Sequence, residues 1–204
     1  MRVGKVRYLA ISNFCGYQIQ KALEISRRNG FEKFIALQPQ YNLLCRSTEW
    51  DLLRVCQEEG LGVLPWSPLA GGILTSRFNR DASAPEQGSR IAWAESVGWK
   101  ATSFSSHSND RTFAILDAAK AIAEKHKRSI SQVCLRWVMQ NPTVTSPIVG
   151  AKKMDQLIDN LDAVSLKLSD EDMDALNKAS YQPAPYPYNE GWNFKRDYTA
   201  IGKE

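Results

Sequence analysis

The chain has 204 residues, 43% hydrophobic and 24% charged, with 12 Gly and 9 Pro. These proportions belong to an ordinary globular protein and exclude collagen-like, low-complexity and disordered chains. A net charge of +4, from 26 basic and 22 acidic residues, is too mild to signal nucleic acid or an anionic membrane as a partner. The longest uncharged run, 61–76, holds Pro65, Pro68 and the Gly71-Gly72 pair and cannot be a membrane span. The residues up to Arg7 are basic and the apolar run after them is too short for a secretory signal. Cys15, Cys45, Cys56 and Cys134 form no C-x-x-C pair, and each lies in or beside apolar sequence. They read as buried free thiols, which predicts a reducing, cytoplasmic compartment.

Along the chain, short β-rich runs alternate with amphipathic helices. Residues 6–11 predict a buried strand, and 17–29 a helix with Ile19, Ala22, Leu23 and Ile25 apolar and Gly30 closing it. A second strand covers 34–37, a helix 47–59, and a third strand 62–66. The long polar stretch 75–110 follows, of a length that is functional or disordered in compact domains. A helix over 111–126 comes next. Ser129 and Gln132 form a capping box that starts another, ended before Pro142. Residues 146–150 predict a fourth short strand, and 154–163 and 171–179 two last helices. The final 24 residues, rich in Pro, Tyr and Trp, predict an extended tail. Four β–α repeats of this kind indicate an α/β protein with a parallel sheet. Neither G-x-G-x-x-G nor G-x-x-x-x-G-K-[ST] follows any strand. A (β/α)8 barrel needs eight such units in about 250 residues.

Function in parallel α/β folds sits beyond the carboxyl ends of the strands. Those ends carry Ser12 and Asn13, then Gln38, Gln40, Tyr41 and Asn42, then Trp66, Ser67, Pro68 and Leu69, and finally Gly150, Lys152 and Lys153. Ser12, Asn13 and Gln38 suit an amide or hydroxyl group of a ligand. Trp66 offers a flat face on which a ring can stack. Lys152 and Lys153 stand where a helix begins, a site for phosphate. Together these suggest a nucleotide. Each has a plainer alternative: Asn13 as a helix cap, Trp66 as core, the lysines as solvated surface. His107 and His126 lie away from the strand ends and read as solvated or capping residues, and no Ser-His-Asp set or carboxylate pair stands there.

Residues 4–14, GKVRYLAISNF, resemble the GKVRYIGVSNF segment of the aldo-keto reductase family. QPQYNLL (38–44), WSPLAGG (66–72), SQV with LRW (131–137) and SPIVGA (146–151) are similar to the family's blocks in order and spacing. The subgroup resembled holds potassium-channel β-subunits and related bacterial and plant reductases. The resemblance implies the C-terminal half of a (β/α)8 TIM barrel, with about four βα units plus extra helices, over residues 1–180, followed by the tail 181–204. It implies NADP(H) as cofactor and reduction of aldehydes or ketones to alcohols. Ser12, Asn13 and Gln38 would hold the nicotinamide carboxamide and Trp66 would stack on its ring. Ser67, Leu69 and Arg77 would lie along the pyrophosphate, with Arg90 near a further basic position. Gly150 and Lys152 would cradle the 2′-phosphate, with Gln156, Asp159 and Asn160 near the adenine.

Two departures stand out: Ser76 replaces a glycine usual in the T-G-[KR]-[YF] turn, and Gln156 stands where many members carry arginine. The family's catalytic Asp, Tyr, Lys and His belong to its first four strands, so the resemblance assigns no catalytic residue and no metal to this chain. It implies a carbonyl substrate once a catalytic half is present. The alternative is a non-catalytic nucleotide-binding or interaction half-barrel, whose open edges invite self-association or pairing with an N-terminal half.

Overall fold

A computed structural model describes residues 1–189. Three strands form one parallel sheet in the order β1-β2-β3: β1 Leu9–Ser12, β2 Phe34–Gln38 and β3 Gly62–Val63. The register pairs Ala10 with Ala36, Ser12 with Gln38 and Leu37 with Val63. β1 begins later than the expected residue 6, because its pairing starts at Leu9 opposite Phe34, the first residue of β2. β3 is shorter than the expected 62–66. Pro39 and Pro65 carry no N–H, so the ladder breaks. The extended path nevertheless continues: the Leu64 and Trp66 amides donate to Leu37 O and Pro39 O, both at 2.9 Å.

The expected fourth strand, 146–150, is not formed as such. Val144 and Ile148 make isolated parallel bridges to Val63 and Trp66. The Thr145 amide donates to Val63 O at 2.9 Å and the Ile148 amide to Pro65 O at 2.8 Å, while the Thr145 hydroxyl accepts from the Val63 amide at 3.1 Å. Pro147 interrupts the ladder between these contacts, so the segment lies beside β3 without becoming a regular strand.

Parallel neighbours need long crossovers, usually helical. α1 (Gly16–Asn29) starts on a capping box between Cys15 and Gln18 and stops at Gly30, whose φ of 62° is left-handed. It buries Ile19 and Leu23 against the sheet cluster. The helix expected over 47–59 divides. A 3-10 turn, Ser47–Glu49, precedes α2 (Leu52–Glu59), and Asp51 between them has a non-helical φ of −143°. The stretch expected as polar loop holds α3 (Arg90–Ser96) and α4 (Phe104–His107), and Ile91 and Ala94 of α3 are buried. α5 (Asp110–His126) is capped by Asn109, and α6 (Ile130–Gln140) by the expected Ser129–Gln132 box. α7 (Met154–Asp162) and α8 (Asp170–Ala179) complete the eight helices among the described residues.

Leu37, Val63, Ile115, Val133 and Leu176 join α1 and α2 in one buried cluster. Full burial of an aliphatic side chain of this kind is worth about 1.5–3 kcal/mol. Cys56 and Cys134 are buried free thiols as expected, Cys45 is half-buried, and Cys15 is exposed. Desolvation pushes Cys56 up to about 11 and Cys134 up to about 12. Of the expected tail, residues 190–204 lie outside the described residues; within 181–189, Tyr188 stacks on Trp50 at 6.2 Å. No helix among the described residues is long and apolar enough to cross a membrane.

Candidate functional site

Parallel strands put their carboxyl ends on one side, so Ser12, Gln38 and Trp66 emerge at a common mouth. Ser12 and Gln38 are register partners, and Gln40 bridges Trp66. The Ser12 hydroxyl donates to Gln38 O at 3.0 Å, which leaves its own oxygen free to accept. Asn13 sits in the left-handed region (φ 58°), a conformation asparagine tolerates better than most residues. Its side-chain oxygen accepts from the Trp66 indole N–H at 2.9 Å. The cap of α1 is Cys15, not Asn13, so the helix-cap alternative for Asn13 does not hold. The Gln38 side chain, half-buried, has no hydrogen-bond partner among the described residues. A hydroxyl, two carboxamides and an indole therefore share one mouth, a donor and acceptor set that fits an amide-bearing ring.

The turn after Trp66 is held from below. Ser67 (φ 52°), Ala70 (φ 48°) and Gly71 (φ 68°) are all left-handed. The buried Asn42 fixes this path: its amide N–H donates to Ser67 O at 2.9 Å, while its side-chain oxygen accepts from the amides of Leu44 and Cys45. Leu69 packs on the core, and Arg77 is exposed on the turn after Leu74.

At the other end, Gly150 and Lys152 are exposed at the start of α7, and a Cβ on Gly150 would meet nothing within 4 Å. Gln156 takes part in capping, accepting from the Lys152 amide at 3.1 Å. The Lys152 ammonium donates to Gly88 O at 2.7 Å. Asp159 accepts from the Ser129 hydroxyl at 2.8 Å and its carbonyl from Gln132 at 3.0 Å, and Asn160 is buried. Asp159 is thus engaged by α6.

A strap joins the two ends. Gly88 is tied to Lys152, and the segment then runs through α3 to Trp99, whose ring lies 6.3 Å from that of Trp66. Arg90 stands between the rings of Trp93 (3.7 Å) and Trp99 (4.8 Å), a cation–π arrangement that fixes its guanidinium.

The profile of the Aldo/keto reductase family matches residues 1–180. The chain belongs to the aldo-keto reductase family. It is 33% identical over 177 residues to the oxidoreductase YrpG of Bacillus subtilis, covering 87% of this chain and 50% of that protein. It is 35% identical over 185 residues to a putative aryl-alcohol dehydrogenase of Schizosaccharomyces pombe, covering 89% and 48%. Versiconal hemiacetal acetate reductase of Aspergillus parasiticus matches at 30% over 192 residues, 90% and 51%. The chain thus spans about half the length of the curated relatives it matches.

Two features of this aldo-keto reductase chain were not legible as site features in its sequence, the Trp93–Trp99 pair and the Gly88–Lys152 contact. Trp93 and Trp99 stand in a polar stretch without period, and their isolation there was the only available signal. Asn42 had a signal in the turn chemistry of asparagine. The pairing of Gly88 with Lys152, 64 residues apart, had none. Tyr41, at the end of β2, faces inward: its hydroxyl donates to Glu49 at 2.8 Å and accepts from Asn141 at 3.1 Å. Burial, and then the Glu49 charge, push this phenol well above its ordinary range. It is a structural residue.

Proposed function

We propose that this chain is the nucleotide-holding half of an NADP(H)-dependent oxidoreductase that reduces aldehydes and ketones to alcohols, folded as the C-terminal half of a (β/α)8 barrel. The observation that carries this reading is the gathering of Ser12, Asn13, Gln38 and Trp66 at one mouth, with Trp66 oriented by its hydrogen bond to Asn13. The names of the relatives, an aryl-alcohol dehydrogenase and a hemiacetal acetate reductase among them, support the same chemistry.

In this reading Ser12 and Gln38 bind the carboxamide, Asn13 fixes the indole, and the Trp66 ring orients the nicotinamide. The nicotinamide, when bound, supplies a hydride to the carbonyl carbon. Ser67, Leu69 and Arg77 would line the pyrophosphate, with Arg90 on the strap as a further cation for the cofactor. Gly150 and Lys152 meet the 2′-phosphate, aided by the positive end of α7. Asp159 also ties α7 to Ser129 and Gln132, and Gln156, Asp159 and Asn160 would lie near the adenine. The family resemblance assigns the proton donor to the other half of the barrel, and Tyr41, the phenol at the end of β2, is unavailable for the role because it is buried and bonded to Glu49. The four free thiols suit a cytoplasmic setting.

The test is a titration of the purified chain with NADPH followed by nucleotide fluorescence, then addition of an aromatic aldehyde followed by NADPH absorbance. Binding without oxidation of the nucleotide is expected, with Trp66→Ala weakening affinity by about tenfold or more. Unchanged affinity in Trp66→Ala overturns the stacking role. Turnover by the pure chain overturns the assignment of the proton donor elsewhere.

A further inference from the structure

Asn42, which follows the end of β2, is fully buried. Its backbone exchanges hydrogen bonds with Cys45, at 3.2 and 3.1 Å, and its side-chain oxygen accepts from the Leu44 and Cys45 amides, both at 2.9 Å. Those bonds close an asparagine turn within one loop. The side-chain N–H lies outside that turn. It reaches 25 residues along the chain to Ser67 O, at 2.9 Å.

This bond falls where the backbone ladder stops. One residue earlier the Trp66 amide still donates to Pro39 O at 2.9 Å. Ser67 then enters the left-handed region (φ 52°), which residues with a Cβ rarely adopt, and Pro68 has no N–H with which to continue. Within the turn, Ser67 O accepts from the Ala70 amide at 2.9 Å. Asn42 adds the one bond to that oxygen from outside the turn. The Ser67 and Leu69 amides, on either side of Pro68, donate to no acceptor among the described residues. Two uncommitted amides in a fixed turn suit an anion.

We propose that Asn42 is a positioning residue for the nucleotide. From a fully buried place, its bond to Ser67 O holds the turn 67–69 in the shape that offers these two amides to the pyrophosphate. The inference rests on the proposed reading in which Ser67 and Leu69 line that group.

Asn42→Ser isolates the bond. A hydroxyl at this position still accepts from the Leu44 amide, two residues on, but is too short to reach Ser67 O. The probes are NADPH, followed by nucleotide fluorescence, and adenosine 2′-phosphate, which has no pyrophosphate, followed by isothermal titration. Asn42→Ser is expected to weaken NADPH binding about fivefold, the effect of one hydrogen bond, and to leave adenosine 2′-phosphate binding unchanged. Glycine takes a left-handed φ without steric cost, so in the Ser67→Gly background Asn42→Ser is expected to weaken NADPH binding by less than about twofold. Equal losses in the two backgrounds overturn the proposal, because Asn42 then does not act through Ser67. Equal losses for the two probes overturn it too, and assign Asn42 to general packing. An Asn42→Ser chain that binds NADPH as the wild type does overturns this proposal and leaves the nucleotide reading intact. A wild-type chain that takes up neither probe overturns both.

Discussion

Trp66 and Asn13, 53 residues apart, are joined by a single hydrogen bond of 2.9 Å from the indole N–H to the side-chain oxygen. The bond links the end of β1 to the end of the third extended segment, across the end of β2. It sets the azimuth of the indole and commits the Asn13 side-chain oxygen. Trp66→Phe keeps an aromatic face and removes the donor. One neutral hydrogen bond is worth about 0.5–1.5 kcal/mol. Trp66→Phe is therefore expected to weaken NADPH binding by a few-fold, less than Trp66→Ala, in the same fluorescence titration. Equal losses in the two variants would show that the indole N–H, not the ring, carries the effect.

Lys152 offers a second, separable prediction. Its ammonium rests on Gly88 O, a neutral acceptor, so its positive charge is not neutralised by that contact. A phosphate arriving there gains a charge-assisted bond and an adjacent helix N-terminus. Lys152→Met is expected to reduce affinity for NADPH by about tenfold while leaving NADH binding nearly unchanged, a charged hydrogen bond being worth about 1.5–3 kcal/mol. Isothermal titration with both nucleotides measures the difference. A parallel loss for both would assign Lys152 to holding the strap.

How much of this was legible in the sequence follows from the range of each interaction. The Ser129–Gln132 box and Gly30 act within a few residues, and the helix ends they predict are present. The Ser12–Gln38 register follows from parallel pairing of adjacent strands, so the mouth could be read in advance. Strand limits could not, because Pro39, Pro65 and Pro147 act on a ladder whose partners are distant in sequence. The interior engagement of Asp159 with Ser129 depends on where α6 lies, which no local pattern in α7 encodes. The 3-10 turn at Ser47–Glu49 is likewise tertiary. Arg46 is anchored by Glu49, the Asn177 carbonyl and Ser180, and draws the segment out of a continuous helix.

Gly71 is a position where the backbone itself excludes a side chain. Its φ is 68°, and a Cβ there would lie 2.9 Å from the Cβ of Thr102, which is buried. The Thr102 hydroxyl has no hydrogen-bond partner among the described residues. Gly71→Ala adds left-handed strain and a clash at once, and is expected to cost about 2–3 kcal/mol. Thermal unfolding should show a fall in Tm of several degrees. An unchanged Tm would mean that the turn after Trp66 relaxes freely. NADPH affinity should fall too, because Ser67 and Leu69 lie in the same turn.

Asp172 gives stability a definite pH dependence. It is 4% exposed at the start of α8, where it accepts from the Lys125 ammonium at 2.8 Å, from His126 Nε2 at 2.7 Å and from the Ser169 amide at 3.1 Å. Burial raises its pKa, but the bonds from Lys125, His126 and Ser169 outweigh it and hold the carboxyl well below its ordinary value of 3.8. A carboxylate with a depressed folded pKa binds fewer protons than its unfolded counterpart over that interval, so stability falls as pH falls. Its contribution is complete above about pH 4 and is lost progressively on acidification towards the folded-state pKa. Asp172→Asn removes the titration and keeps one acceptor. The variant is expected to be less stable than wild type at pH 7 by about 1–3 kcal/mol, and the gap should narrow between pH 4 and pH 2, measured by urea unfolding at each pH. A gap that stays constant over that interval would place the acid sensitivity of the fold on other carboxylates, Asp162 first among them, since its bonds to Ser165 and Arg128 lower its pKa too.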